Sequence, residues 1–199
     1  MGMPDTEIEL YRDQLRTFFL QLSPTTPLVE MNELVNEFSL DTFSKKQMIL
    51  ASGESSDTVY FVCKGLVRIY YIQEEKEITT WFIKENMVFA ATYSILTGEK
   101  NFSFYESLEK TLVMKVRYST LESYCSKYHS IEHLSRKMVE SYYSTFMKRT
   151  HDVLFLSAEE RYNLFIKDHS DILNRVPLRH VASYLGITQE TLSRLRAKY

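Results

Sequence analysis

Cysteine is scarce in this chain: Cys63 and Cys125 are the only two among 199 residues, with no CxxC spacing. That count excludes a disulfide framework, a zinc ribbon and a four-cysteine iron–sulfur cluster, and leaves two ordinary buried or half-buried thiols. No run of 18 or more apolar residues occurs, and no charged-then-apolar leader opens the chain. These absences predict a cytoplasmic protein with no membrane partner. Histidine is missing before His129, so the strand-rich part of the chain lacks the imidazoles that a metal-dependent barrel enzyme needs. His129 and His133 share one helical face, but no third ligand accompanies them and they read as surface or interface histidines. The expectation is a protein that is not an enzyme, with no catalytic residues, no metal and no cofactor. Repeats and low-complexity segments are absent too.

What is present is the composition of a globular protein, 44% apolar and 25% charged, enough for a sizeable core in one large domain or two small ones. A net charge of −2 argues against nucleic acid until its distribution is considered. From Arg175 onward there are five basic residues and one acidic, so the last 25 residues carry an excess of four positive charges and the preceding 174 an excess of six negative ones. A basic end on an acidic body concentrates attraction to phosphate at one place.

Along the chain, apolar residues recur at three- and four-residue steps over 5–22, predicting a helix that Pro24 and Pro27 end, and a second short helix fits 28–37. From about 38 to 118 short β-branched and aromatic runs appear at Met48–Leu50, Val59–Val62, Leu66–Ile72, Ile78–Ile83 and Leu112–Val116. Turn-like segments separate them, and Glu74 to Glu77 reads as a solvated hairpin tip. Closely spaced strands with frequent turns imply a small antiparallel barrel or sandwich. Helix returns after Val116. Its main feature is a long segment, Ser130 to Leu156, with a mostly apolar stripe through Ile131, Leu134, Met138, Tyr142, Phe146, Val153 and Leu156, interrupted near Arg149. Such a helix spans close to ~40 Å. It packs either on a second copy in a symmetric dimer or across its own barrel. Ser157-Ala158-Glu159-Glu160 fits a capping box that opens a further helix.

The last 24 residues read as a helix-turn-helix. Val181, Ala182 and Leu185 face inward from a first helix, Leu192 and Leu195 from a second, with Gly186 at the bend and Thr188 at the N-cap. Gln189, Glu190, Ser193 and Arg194 fall on the opposite face, where amide, carboxylate and guanidinium suit base-pair edges in a major groove. Double-stranded DNA is the expected partner.

This order of elements, together with Ser52-Gly53-Glu54, Asp57 to Val62, Lys64 to Tyr70 and the C-terminal stretch, resembles the cyclic-AMP receptor protein/fumarate–nitrate regulator (CRP/FNR) family of bacterial transcription factors over residues 10 to 199. The resemblance implies an α+β fold in three parts. Residues 1–128 would form a cyclic-nucleotide-binding-like antiparallel β-barrel with flanking helices, 129–156 a dimerisation helix, and 157–199 a helix-turn-helix domain without the β-hairpin wing that family members often add. It implies a homodimer through residues 130–156 on a palindromic operator read by the helix at 188–197, with RNA polymerase as a further partner.

Carried over residue by residue, Gln189, Glu190 and Arg194 match the base-reading positions. Glu190 would accept from a cytosine amino group and Arg194 would donate twice to guanine, while Gln189 stands where arginine is common and suits adenine better. Thr188, Thr191 and Ser193, with Arg179, His180, Arg196 and Lys198, are the phosphate and positioning candidates.

The chain departs from the family's nucleotide site. The Gly-Glu-Leu segment of members that bind cyclic AMP aligns with Ala90-Ala91-Thr92, and the Arg-Ser pair falls near Asn101-Phe102, where Lys100 to Glu109 holds no arginine. A buried phosphate without its cation is penalised by several kcal/mol, so cyclic AMP is not the expected ligand unless Lys100 supplies the charge. Nor do the first 62 residues hold the cysteines of the oxygen-sensing branch. Phe89, Ala90, Ala91, Thr92, Asn101 and Phe102 form the candidate pocket for an unknown small-molecule effector. Phe89, Tyr93, Phe102, Phe104 and Tyr105 either line such a pocket or simply fill the barrel. The rival reading is a ligand-sensing or protein-interaction module whose helix-turn-helix no longer binds DNA.

Overall fold

The computed structural model describes residues 5–197. Helices α1 (Asp5–Leu22) and α2 (Leu28–Asn36) come first, followed by strands β1 (Ser39–Phe43), β2 (Met48–Leu50), β3 (Thr58–Lys64), β4 (Val67–Gln73), β5 (Lys76–Ile83) and β6 (Val88–Ala90). A short helix α3 (Thr92–Thr97) precedes β7 (Phe104–Ser107) and β8 (Thr111–Arg117), and five-eighths of the helices then close the chain: α4 (Tyr118–Lys127), α5 (His129–Phe155), α6 (Ala158–His169), α7 (Leu178–Leu185) and α8 (Gln189–Arg196). The expected barrel is flattened into a jelly-roll sandwich of two antiparallel sheets, ordered β1-β8-β3-β6 and β2-β7-β4-β5.

The central strands explain this layering. In β3, Val59, Phe61 and Cys63 point out of the sandwich onto the helices, while Tyr60 and Val62 point into it. Its antiparallel neighbour β8 does the same, with Leu112, Met114 and Val116 outward and Val113 inward, in register Phe61↔Met114. Strands apolar on both faces must be covered on both. The outer cover is α1, α2 and the first half of α5, through Leu15, Phe19, Met31, Leu34, Ile131 and Leu134. On the second sheet Val67 and Ile69 face inward, while Leu66 and Phe82 join a core made otherwise of α6, α7 and α8 residues such as Phe165, Val181, Leu185 and Leu192. The C-terminal helices therefore rest on the outside of the β4–β5 sheet.

Hairpin β4–β5 closes through Glu74 and Glu75, both at positive φ, between the paired Gln73 and Lys76. Tyr128, extended at φ −129°, separates α4 from α5. Along α5, packing across the chain's own sandwich takes only part of the helix. Met138 and Tyr142 pack on the chain's own sandwich, whereas Val139, Tyr143, Phe146, Met147, Val153 and Leu154 are exposed, Tyr143 at 64% and Leu154 at 68%. The second set recurs at four- and seven-residue steps and makes a continuous bare stripe. Ser157 then caps α6: its hydroxyl accepts from the Glu160 N–H and the Glu160 carboxylate accepts from the Ser157 N–H, the reciprocal capping box.

Candidate nucleic-acid interface and ligand cavity

Helices α7 and α8 meet through Val181, Ala182, Leu185, Leu192 and Leu195, all buried. Gly186 ends α7 at φ 66°, a left-handed backbone that costs a residue with a Cβ, and the Ile187 N–H reaches back to the Ala182 carbonyl at 3.0 Å. Thr188 begins α8, its hydroxyl accepting from the Thr191 N–H at 3.2 Å. Gln189, Glu190, Ser193, Arg194 and Arg196 are exposed on the outer face of α8, and Arg179 is exposed on α7. Arg194 donates to the Thr191 hydroxyl at 3.3 Å, so Thr188, Thr191 and Arg194 form one hydrogen-bonded line along that face. The Glu190 carboxyl is held below the usual range by its own backbone N–H in the first turn of the helix, then by Thr188, and so stays ionised as an acceptor. Lys198 lies outside the described residues, as does any wing.

His180 does not belong to this surface. It is buried, 5% exposed, on the face of α7 that rests against β5. Its neighbour in the fold is Arg68, itself 1% exposed, which donates to Thr79 Oγ1 at 2.9 Å and to Glu77 at 2.6 Å. Burial, aided by Arg68 and Arg179, pushes the His180 pKa down to about 4, so the ring is neutral and enclosed rather than offered to phosphate. Ser183, one turn on, accepts from the Thr79 N–H at 2.9 Å and donates to the Glu77 carbonyl at 2.7 Å. A second clasp is Arg175, which pairs with Glu85 at 2.8 Å and Glu109 at 2.7 Å on the sandwich. Burial pushes the Glu85 carboxyl up, but Arg175 and the Gly65 N–H outweigh it and hold it below the ordinary range. The basic end is thus less positive than its sequence suggests, because Arg175 is neutralised locally. On the α5 side, Arg149 lies 3.8 Å over the Tyr184 ring and donates to the Tyr184 carbonyl.

Between the sheets and α5 lies a cavity of about 650 Å³. Of the predicted pocket residues, Phe89, Ala90, Thr92, Asn101 and Phe102 line it. Ala91 does not: it is buried at the start of α3, where its carbonyl accepts from the Ile95 N–H at 2.9 Å. The sequence reading missed the opposite walls, Ile69 and Trp81 from the second sheet and Met138, Tyr142 and Phe146 from α5. Tyr93 and Tyr105 also line the space, whereas Phe104 stacks on Tyr70 at 5.2 Å and takes no part. Lys100, the one substitute cation the sequence offered, is exposed and is not a lining residue. No group of three or more metal-ligating side chains occurs among the described residues, and no helix there is long and apolar enough to cross a membrane.

Residues 40–128 match the family model of the cyclic nucleotide-binding domain. The chain is 23% identical over 172 residues to the regulatory protein HlyX of Actinobacillus pleuropneumoniae, covering 78% of this chain and 69% of that one. It is also 23% identical over 172 residues to the fumarate and nitrate reduction regulatory protein of Vibrio cholerae, covering 78% and 66%. The chain spans about two thirds of the length of these curated relatives. Among solved structures, FixK2 from Bradyrhizobium japonicum superposes with a TM-score of 0.71 at 21% identity, covering 81% of this chain and 83% of FixK2. Residues 40–128 thus carry a cyclic nucleotide-binding domain, and the chain is similar in sequence to these regulatory proteins and in fold to FixK2.

Proposed function

We propose that the chain is a DNA-binding transcription regulator, a homodimer that reads a palindromic operator through residues 188–197. The observation that carries this reading is the outer face of α8. Its polar side chains are exposed and ordered along a capped helix, while its apolar side is fully used in the helix-turn-helix core. Arg194 donates to guanine, Glu190 accepts from cytosine and Gln189 suits adenine. Thr188, Thr191, Ser193, Arg179, Arg196 and Lys198 hold the phosphates. Two chains associate through the bare stripe of α5, which spaces two recognition helices about one DNA turn apart.

Residues 1–128 act as the sensor, 129–156 as the dimerisation helix and 157–199 as the DNA-binding domain. The protein works in the cytoplasm, meets RNA polymerase at the promoter and has no enzymatic role. Its barrel does not hold cyclic AMP, because the cavity offers no cation to the phosphate.

Selecting sites from a random duplex library with the purified protein, at about physiological salt, tests this. The expected result is a palindrome with two half-sites about one turn apart. Absence of enrichment, with and without metabolite extract, leaves the non-binding helix-turn-helix module as the correct reading.

A further inference from the structure

The cavity bounded by β4, β5, β6, β7 and α5 is distinctive in its charge. Among the described residues, no acidic or basic side chain and no histidine lines it. Several of its polar groups are already occupied within the protein. Tyr105 Oη donates to the Ala90 carbonyl at 3.2 Å, and Tyr142 Oη donates to the Val88 carbonyl at 2.7 Å while accepting from the Val88 N–H at 2.6 Å. Asn101 is closed on the Ser103 backbone through both ends of its amide. Thr80 donates to the Ile69 carbonyl at 3.1 Å and Thr145 to the Ser141 carbonyl at 3.0 Å. Burial pushes both Tyr105 and Tyr142 up to about 12, so neither supplies a charge at neutral pH.

What remains to meet a ligand is mostly ring and hydrocarbon. Phe89 and Tyr105 stack with centroids 6.0 Å apart, and Trp81, Phe102 and Phe146 add further faces. An anion placed here loses its water and gains no counter-charge. A molecule dense in hydroxyls or amides finds the Tyr105, Tyr142, Asn101, Thr80 and Thr145 side chains taken, and only scattered hydroxyls such as Tyr71, Ser103 and Ser141 left to meet it. The volume of about 650 Å³ suits one small organic molecule.

We propose that this cavity takes an uncharged, predominantly apolar, ring-bearing small molecule and discriminates against anionic ligands, cyclic nucleotides included. The proposal rests on the reading of the barrel as a sensor. Such a ligand touches Met138 and Tyr142 on one face of α5 and Phe146 at the edge of its bare stripe. It therefore bears directly on the helix through which two chains associate.

Trp81 is the only tryptophan in the chain and stands in the cavity wall, so energy transfer from it reports on occupancy. The probes are N-phenyl-1-naphthylamine, neutral and aromatic, its sulfonated counterpart 8-anilino-1-naphthalenesulfonate, and cyclic AMP. The neutral probe is expected to saturate at one per chain with transfer from Trp81, and the sulfonate to bind at least about tenfold more weakly. Cyclic AMP should not compete. Ala90→Phe and Ser141→Phe fill the cavity from opposite walls. Each should abolish transfer while leaving the far-UV melt intact, and if one fails to fold the other decides.

Equal or tighter binding of either anion overturns the proposal. So does a neutral probe that binds unchanged in the correctly folded filling variants, or that never saturates because a second copy's helix occupies the space. The random-duplex selection separates the two readings. DNA recognition without neutral-probe binding removes the ligand class and leaves the regulator standing, whereas probe binding without DNA recognition does the reverse.

Discussion

Individual side chains decide which parts of the helix-turn-helix face DNA and which face the protein. The family resemblance put His180 with Arg179 among the phosphate contacts, but the ring is enclosed against Arg68 while Arg179 remains exposed. The physical reason is that α7 has two packing faces. Val181 and Leu185 serve the helix pair, and His180, Ser183 and Tyr184 serve the sandwich. The second face is not visible as a hydrophobic period, since its members are an imidazole, a hydroxyl and a phenol. A consequence follows for pH. The folded pKa of His180 is depressed from 6.5 to about 4, so the unfolded chain takes up the proton first and stability falls as pH drops below 6.5. Melting temperature should decline between pH 6.5 and 5, where Glu85 is still ionised, and His180→Gln should flatten that decline. Burial, with Lys84, lowers His169 as well, so a residual slope in the variant belongs to that ring.

At the scale of elements, the sequence reveals β2, β3, β4, β5 and β8, the last four of them with apolar residues on both faces. The three it misses fail for identifiable reasons. β6 and β7 have three and four residues, too few to establish a period, and β1 is Ser-Leu-Asp-Thr-Phe, whose Asp41 interrupts the apolar pattern and pairs with Lys115 at 2.5 Å. The β4–β5 turn carries a local conflict. Glu74 and Glu75 both adopt positive φ in a two-residue hairpin that favours Asn-Gly. Replacing Glu74-Glu75 by Asn-Gly should stabilise the protein by about 0.5–2 kcal/mol, read as a rise in the denaturant midpoint; an unchanged or lower midpoint means the glutamates make contacts that matter more than their backbone. The bare stripe of α5 makes a different prediction. Tyr143 lies mid-helix and is 64% exposed, so Tyr143→Glu should shift the sedimenting species from dimer to monomer without lowering helicity. A wild-type chain that sediments as a monomer at the same concentration contradicts the association proposed here.

For the whole molecule, the long-range clasps matter most. Thr79 and Ser183 are 104 residues apart in sequence, and Arg175 lies 90 and 66 residues from its partners Glu85 and Glu109. No local pattern could have joined them, which is why the domain order was legible and the seating of the C-terminal helices on the β4–β5 sheet was not. The same limit applied to the cavity: the resemblance pointed to its β6–α3 wall, where the Gly-Glu-Leu segment aligns with Ala90-Ala91-Thr92, and to Asn101-Phe102, where the arginine is missing, while its α5 wall required the fold. Arg175→Ala removes one clasp and leaves two carboxylates facing a gap. Amide exchange at Thr79, whose N–H is held by Ser183, should then accelerate while exchange in β3 and β8 stays slow. Uniform acceleration would mean that Arg175 supports the entire fold instead of the seating of one part.

The central claim is that the outer face of α8 reads sequence, and a protein-by-DNA cycle tests it most directly. Wild type and Arg194→Ala would be titrated by fluorescence anisotropy against the selected operator and against the same duplex with its guanine–cytosine pair inverted at the position assigned to Arg194. The predicted result is a loss of about 1–3 kcal/mol on the operator, roughly fivefold to 150-fold in affinity, and almost no difference between the two proteins on the inverted duplex. Equal losses on both duplexes would reduce Arg194 to a phosphate contact, and no loss on either would contradict the account.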